Sequence, residues 1–216
     1  MANLTCPACG APVEFKSAAP YGVCGHCQSL LIRRDVTLES VGRVAQVPED
    51  FSPLQLYSGG VFEKRHFTLI GRIRKAWDEG SWSEWCAHFD DGRLGWLAEA
   101  QGDLVMMFEQ PLTAFAQAPS PEHWNVGARP GESVALNGTR FTVTDVKKVM
   151  SLGAEGELAG GASLRSGMTS IDLHGPGLEL ATIEASPQAL HLFMGHYVEF
   201  EACQFTNLRT LEGWRR

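Results

Sequence analysis

Four cysteines in two pairs restrict what the N-terminal part of this chain can fold into. Cys6 and Cys9 form one C-x-x-C pair, Cys24 and Cys27 form another, and fourteen residues separate the two pairs. This spacing is typical of a zinc site with four thiolate ligands, because a tight turn within each pair directs two sulfur atoms at one ion. Two disulfide bonds or a redox pair are the alternatives, but a redox motif needs a single C-x-x-C beside a βαβ unit, and no βαβ pattern surrounds these cysteines. The sequence therefore predicts a zinc ribbon with a structural Zn²⁺ and no open coordination position for catalysis.

The composition indicates a folded, acidic protein. Hydrophobic residues make up 44% of the 216 residues and charged residues 20%, which argues against extensive disorder. The formal net charge of −7 argues against nucleic acid as a partner, because phosphate contacts need a basic face. The sequence has neither a signal-peptide pattern at its start nor a long apolar run, so we expect no leader and no transmembrane segment. Free thiols at Cys86 and Cys203, together with a thiolate zinc site, favour a cytoplasmic location.

After the ribbon, the sequence has the pattern of β-strands. The segment Phe67–Arg74 is rich in β-forming residues, and in the segment Trp82–Phe89 large apolar residues alternate with Glu84, Cys86 and His88. Asp91-Gly92 is typical of a hairpin turn. We predict a mainly β fold with a zinc ribbon at residues 1–35, a connector at 36–53, a first β-domain at 54–109, a linker at 110–130 and a second β-domain at 131–216.

The second half of the chain repeats the order of strands and turns of the first half. The segment Phe141–Val149 corresponds to Phe67–Arg74, and Gly175-Pro176-Gly177 stands where Asp91-Gly92 stood. The second copy is longer, and the excess is assigned to a loop from Ser151 to Gly167 that is rich in Gly, Ala and Ser. The pattern predicts an internal duplication that forms two related small β-barrel-like or curled-sheet domains, since closure hides strand edges.

An ordered series of motifs resembles a known bacterial family. It consists of the ribbon followed by Val41–Ala45, Ser52–Leu56, Phe67–Ile73, Trp82–Trp85, Asp91-Gly92 and Trp96–Glu99. The family is catalogued as domain of unknown function four-one-seven-eight. The resemblance covers the first half strongly and the second half only through the repeat, and the family has no catalytic residues to carry over. The resemblance implies a cytoplasmic accessory or scaffold role, tied by gene context to membrane-stress and polyamine-related operons, with a membrane-associated partner as an option.

Cys86 and His88 raise the question of an enzyme. A thiol and an imidazole beside Glu84 could form a nucleophilic site. However, side chains at positions i and i+2 of one strand point in parallel and meet poorly, and no oxyanion-hole motif accompanies them. A buried thiol beside a partly exposed histidine is the simpler interpretation, and no catalytic residue is predicted.

Arg72, Arg74, Trp77 and Trp82 are the candidate partner-binding residues outside the ribbon. The two arginines share a strand face and could meet an anionic partner, although a solvated strand face is the commoner explanation. The two tryptophans flank a turn and could be exposed at an interface, although large rings also fill the cores of small barrels.

The sequence as a whole predicts a non-enzymatic zinc-binding scaffold or adaptor that mediates protein assembly. The first alternative is an accessory enzyme subunit that uses the face carrying Cys86 and His88. The second is a nucleic-acid binder that uses the ribbon and the basic strand with Arg72 and Arg74, and the charge of the chain argues against it.

Overall fold

The N-terminal ribbon is built from five short strands. The computed structural model describes residues 4–35, 37–160, 167–187 and 189–211. The first two strands form a hairpin, and the next three form an antiparallel meander. The five strands are β1 (Leu4–Thr5), β2 (Pro12–Val13), β3 (Tyr21–Val23), β4 (Ser29–Arg34) and β5 (Thr37–Arg43). The last of these lies in the segment predicted as a connector, and the predicted boundaries at residues 1, 36 and 216 fall outside the described ranges.

Two four-stranded antiparallel meanders follow the ribbon, each with one additional strand before it. The first meander follows β6 (Gly59–Phe62) and consists of β7 (Arg65–Trp77), β8 (Gly80–Phe89), β9 (Leu94–Ala100) and β10 (Asp103–Gln110). The second follows β11 (Ser133–Leu136) and consists of β12 (Thr139–Leu158), β13 (Met168–His174), β14 (Glu179–Ala185) and β15 (Leu190–Val198). The prediction of a mainly β fold is confirmed.

The two meanders close on each other rather than on themselves. β10 pairs with β15, and β12 pairs with β7, so the eight strands form a closed antiparallel cycle that we call the barrel. Each meander alone has two open edges, and pairing with the other meander covers all four of them. Where the sequence predicts two β-barrel-like or curled-sheet domains, the long-range pairings join both halves in one large antiparallel sheet. The ribbon belongs to the same sheet, because β3 pairs with the end of β12.

Both meanders follow the same register. Phe67 in β7 faces Phe89, and a β-bulge lies between Leu69 and Gly71. In the second meander, the bulge lies between Val143 and Asp145 of β12. Each bulge therefore follows the second residue after the first phenylalanine of its strand, which is Phe67 in β7 and Phe141 in β12.

The two seams between the meanders pair residues that occupy equivalent places. Counted from the bulges, Ala76 corresponds to Met150, and these two residues face each other across the β7–β12 seam. Followed from strand to strand, Phe108 corresponds to Met194, and these residues face each other across the β10–β15 seam. A twofold rotation that exchanges the meanders would produce this pairing. The duplication itself stays a prediction.

Separate elements cover the outside of each meander. β6 and the C-terminal segment pack Phe62, Phe200 and Phe205 against the first meander. A short 3₁₀ turn (Leu112–Ala114) and a single π-helical turn (His123–Gly127) pack Phe115 and Trp124 against the second. Both turns lie in the predicted linker, and they are the helical elements of the described residues.

The segment Ser151–Gly167 differs from its predicted loop conformation. β12 continues to Leu158, because residues of this segment pair first with β7 and then with β3. Gly156 has φ +71°, and Gly71, which faces it, lies close to the backbone of Glu157. Because neither glycine has a Cβ atom, β7 and β12 can approach each other closely here. Residues 161–166 of the predicted loop are outside the described part of the chain.

Candidate functional sites: the cysteine cluster and the barrel cavity

Two tight turns of the ribbon carry the four cysteines. The amide of Gly10 donates to the carbonyl of Cys6 at 2.9 Å, and the amide of Gln28 donates to the carbonyl of Cys24 at 2.9 Å. Gly10 and Gln28 end the two turns in the left-handed region, with φ of 77° and 59°. The two turns thus have the same geometry, which sequence spacing alone anticipates.

The sulfur atoms of the cluster are arranged to bind a metal ion. The candidate ligand atoms of Cys6, Cys9, Cys24 and Cys27 all lie within 4.8 Å of one another. The Sγ atoms of Cys6 and Cys27 are 3.7 Å apart, and those of Cys9 and Cys24 are 3.8 Å apart. In a tetrahedral site with metal–sulfur bonds of about 2.3 Å, sulfur atoms lie roughly 3.8 Å apart. The four cysteines therefore fit a four-coordinate ion, and their count leaves no coordination position open.

Cys27 has a lowered pKa, which favours the thiolate form that binds metal. Ser29 hydrogen-bonds the Cys27 sulfur through its side chain and its backbone, and this lowers the pKa of Cys27 to about 6. The opposite holds for Cys9, where a backbone hydrogen bond from Ala11 lowers the pKa but the neighbouring thiols and burial outweigh it and raise the pKa to about 12. Metals bind the thiolate and not the thiol, so Cys27 is the more readily deprotonated of these two ligands.

The ribbon is fixed to the barrel by Glu157 near the end of β12. The Glu157 carboxylate accepts hydrogen bonds from the amides of Lys16 and Ser17 at 2.6 and 3.0 Å, and from the Ser17 hydroxyl at 2.5 Å. Arg33 in β4 donates to the Ser17 carbonyl at 2.7 Å. Since Glu157 is only 6% exposed, these bonds form in a poorly solvated place and hold the two parts in one orientation.

Arg72 and Arg74 are internal ion-pair partners rather than surface groups. Arg72 is 4% exposed, forms an ion pair with Asp50 and stacks on the Trp85 ring at 4.4 Å. Desolvation lowers the pKa of Arg72 to about 10. Arg74 lies 3.7 Å from the same aspartate and donates to Ser83. Capture of an anionic partner needs accessible guanidinium groups, so this placement argues against both the predicted role and the solvated-face alternative.

Trp77 and Trp82 lie at one end of the barrel, at the β7–β8 turn. Their ring centroids are 5.6 Å apart, and both side chains are half-buried. The indole N–H of Trp82 donates to Glu84 Oε1 at 3.0 Å. The Lys147 ammonium lies 5.1 Å from the centroid of Trp77. Both tryptophans line a cavity.

This cavity has a volume of about 410 Å³. All eight strands of the barrel contribute to its lining, so it lies inside the closed cycle. Eight-stranded barrels of this kind can hold one small ligand, and the volume lies in the range of small-molecule sites. Sequence reasoning missed the cavity because it forms only when the two halves close together.

Glu84, one of the lining residues, belongs to a buried ion triad. The Lys75 ammonium lies 2.7 Å from Glu84 Oε2 and also contacts Glu184 Oε1 from the other meander. Lys75 is 1% exposed. Burial alone would lower the pKa of Lys75, but the charges of Glu184 and Glu84 outweigh burial and raise it. Burial raises the pKa of Glu84. In the sequence Lys75 belongs to an apparent surface cluster of basic residues, and nothing local marks it as buried.

Asp172 lines the cavity from the second meander. Its Oδ1 accepts a hydrogen bond from the Thr182 hydroxyl at 3.1 Å, while Oδ2 lies 4.0 Å from the Lys147 ammonium. The side chain is 43% exposed, so its desolvation by the surrounding protein is partial, and this desolvation raises the pKa of Asp172.

The thiol and imidazole considered for catalysis do not form a nucleophilic site. The predicted alternation of β8 is confirmed, since Trp85, Ala87 and Phe89 share one core cluster and Cys86 belongs to another. Cys86 is 0% exposed, and desolvation raises its pKa to about 12. A buried neutral thiol is inert as a nucleophile.

Among the described residues, no helix is long and apolar enough to cross a membrane.

Comparisons with known proteins identify a family for this chain. No curated protein and no solved structure matches the chain. Residues 60–200, which include both meanders, match the model of a family described as Domain of unknown function (DUF4178), and because this match covers more than half of the 216 residues the chain belongs to that family.

Proposed function

We propose that the chain is a non-enzymatic cytoplasmic adaptor, in which a zinc ribbon held at a fixed orientation on the barrel binds a protein partner. The observation that carries the proposal is the cysteine cluster, whose sulfur separations of 3.7 and 3.8 Å suit zinc with four thiolates. Such a site stabilises a small fold and does no chemistry of its own. Zinc binding contributes roughly 10–16 kcal/mol in small zinc domains, enough to fold a ribbon with so few core residues.

The outer edge of β5 is the surface that fits an extended protein segment. β5 is the last strand in the order of the large sheet, and among the described residues no strand pairs with its outer side. Most of its residues are exposed, including Val41 at 45%. An unpaired edge offers backbone donors and acceptors to a partner strand, which is a recurrent mode of peptide recognition.

The alternatives have less support. An enzyme that uses Cys86 and His88 would need an accessible, activated thiol, whereas Cys86 is fully buried with a raised pKa. Nucleic-acid binding would need free basic groups, whereas Arg72 and Arg74 are paired with Asp50 in a chain of net charge −7.

The predicted internal duplication is part of this proposal. The two matching bulges and the two seams of equivalent residues support it. In this view, duplication produced the barrel and the ribbon was added at one edge.

The metal component of the proposal has a direct test. Freshly purified protein should contain one zinc per chain by elemental analysis, and Cys9→Ser should lose it. The matched control is Cys203→Ser, which replaces a buried cysteine outside the cluster and should keep the metal. Absence of metal from both the wild type and the control, with the four cysteines in disulfide bonds, would contradict the zinc site.

The adaptor component is tested by recovery of a defined complex from the native cells. Wild-type protein and the Cys86→Ala/His88→Ala variant should recover the same stoichiometric protein partner, while Cys9→Ser should lose it although the barrel stays folded by circular dichroism. Ser40→Pro and Val41→Pro are compared, because the N–H groups of adjacent strand residues point to opposite sides. The variant that removes the N–H on the outer edge should weaken recovery of the partner. If the Cys86→Ala/His88→Ala variant stays folded but loses the cellular role, the enzyme alternative replaces the adaptor.

A further inference from the structure

The barrel cavity is a partly open site that the adaptor proposal does not use. Its lining comes from every strand of the barrel and includes Glu84, which is bound from behind in a triad with Lys75 and Glu184. A buried ion triad is weak evidence for stability, because desolvation of the charges offsets much of their attraction. A concave volume of about 410 Å³ with a carboxylate of this triad on its lining is instead what a site for a small polar ligand requires.

The two meanders contribute walls of different chemistry. The first supplies an aromatic and apolar wall that includes Trp77, Trp82, Val105 and Met107. The second supplies a mainly polar wall with Thr144, Asp145, Lys147, Ser170, Asp172 and Thr182. A ligand that contacts both walls must combine an apolar body with a polar group.

The charge of the lining determines the sign of that polar group. Four carboxylates line the cavity (Glu84, Asp103, Asp145 and Asp172), against the single ammonium of Lys147. Behind Glu84, the ammonium of Lys75 and the carboxylate of Glu184 offset each other. The excess of negative charge favours a cation and repels an anion. The side chains of Asp145 and Asp172 are 49% and 43% exposed, so solvent screens part of this effect.

Lys147 indicates how this lining holds an ammonium group. Its Nζ contacts the Asp145 carboxylate, lies 4.0 Å from Asp172 Oδ2 and lies 5.1 Å from the Trp77 centroid. The same combination of carboxylate and aromatic face recognises organic cations in binding sites. At 4.0 Å, Asp172 Oδ2 is beyond hydrogen-bond distance of Lys147, so it can accept a hydrogen bond from a ligand.

We propose that the barrel cavity binds a small organic cation, with its ammonium group on Asp172 and its apolar body against Trp82 and Met107. The aromatic wall and the polar wall are then contacted together, and the ligand neutralises part of the excess negative charge. This binding activity is additional to the adaptor role and does not depend on the ribbon.

Calorimetry with ligands matched in shape and different in charge tests this proposal. The probes are three amines (2-phenylethylamine, cyclohexylmethylamine and hexylamine), with 2-phenylethanol and 3-phenylpropanoate as the neutral and anionic counterparts of the first. We expect at least one amine to bind saturably with one site per chain at pH 7, with a change in tryptophan fluorescence. The alcohol should bind at least about 10-fold more weakly, which corresponds to about 1.4 kcal/mol, and the carboxylate should not bind.

Variants locate the site. Asp172→Asn should weaken binding of the amine at least 10-fold, because it removes the charge and keeps the shape. Trp82→Leu should weaken it by removing an aromatic face. The control is Asp90→Asn, which removes one charge from an exposed position outside the cavity and should leave the affinity unchanged. If Asp172→Asn does not fold, Asp103→Asn serves instead, since Asp103 is an exposed member of the lining.

Three results would overturn the cation site. The first is that none of the amines binds saturably, and the second is that the carboxylate or the alcohol binds as tightly as the amine. The third is that the folded Asp172 or Asp103 variant binds the amine with the affinity of the Asp90 control.

Discussion

The two meanders share a backbone plan but differ in almost every residue that faces the inside of the barrel. Their strands follow the same order, and each carries a bulge at the same place of its first strand. Yet Cys86 in β8 corresponds to Asp172 in β13, and Trp96 in β9 corresponds to Thr182 in β14. The hydrophobic pattern of the buried outer face and the turns set the register, and the backbone hydrogen bonds place no demand on the inward-facing side chains. The inside is therefore free to differ, and one wall is aromatic while the other is polar.

The outer faces of the two meanders also combine an equivalent buried residue with different surroundings. Phe67 and Phe141 occupy equivalent places and are both buried, at 3% and 0% exposure. The covers over them are unrelated, with β6 and the C-terminal segment on one side and β11 with two short turns on the other. The two equivalent phenylalanines are therefore both buried, although different segments of the chain cover them.

The largest expected difference between the meanders comes from Lys75, whose counterpart in the second meander is Val149. Lys75→Met leaves the carboxylates of Glu84 and Glu184 buried without their cation. We expect a loss of about 3–5 kcal/mol in the free energy of unfolding, measured with urea. Lys148→Met, at an exposed lysine on β12, should cost less than about 1 kcal/mol. Adding Glu84→Gln and Glu184→Gln to Lys75→Met should restore part of the loss, and a triple variant no more stable than the single one would contradict the charge explanation.

A smaller difference is expected at the bulges. A Cβ atom built on Gly71 would lie 1.9 Å from the carbonyl oxygen of Glu157, whereas the equivalent residue of the second meander, Asp145, already carries a side chain. Gly71→Ala should therefore destabilise the protein by about 1–3 kcal/mol, because the end of β12 and the attached ribbon must shift. Asp145→Ala is the control and should have a smaller effect. Thermal unfolding followed by circular dichroism measures the stability of both variants. Equal effects would contradict the proposed crowding between β7 and β12.

The smallest expected difference is a pH effect at His191, whose counterpart in β10 is Val105. A hydrogen bond with Glu109 raises the pKa of His191 above its ordinary value, although burial opposes the shift. The stabilisation is fully present below the unfolded-state pKa of about 6.5 and is lost as pH rises through the folded-state value. Because both groups are partly exposed, we expect a contribution below about 1 kcal/mol. Wild type minus His191→Val stability should decline from pH 6 to pH 8.5, and a difference that rises over this range would show that the sign is wrong.

Local patterns predicted the parts of the fold that local sequence determines. The spacing of the cysteines gave the cluster, and the alternation in β8 separated Trp85 from Cys86 correctly. The barrel and its cavity depend on pairings between distant segments, such as β7 with β12, that no local pattern encodes. Arg72 and Lys75 resemble surface residues in the sequence, because their partners Asp50 and Glu184 are distant along the chain.

The central claim is that the two meanders close one barrel around the cavity, with equivalent residues paired at both seams. Nuclear Overhauser effects between backbone protons of uniformly labelled protein test this claim most directly. We expect cross-strand contacts between Ala76 and Met150 at one seam and between Phe108 and Met194 at the other. A spectrum that has the contacts within each meander but lacks those of either seam would contradict the closed barrel and, with it, the cation site in the barrel cavity.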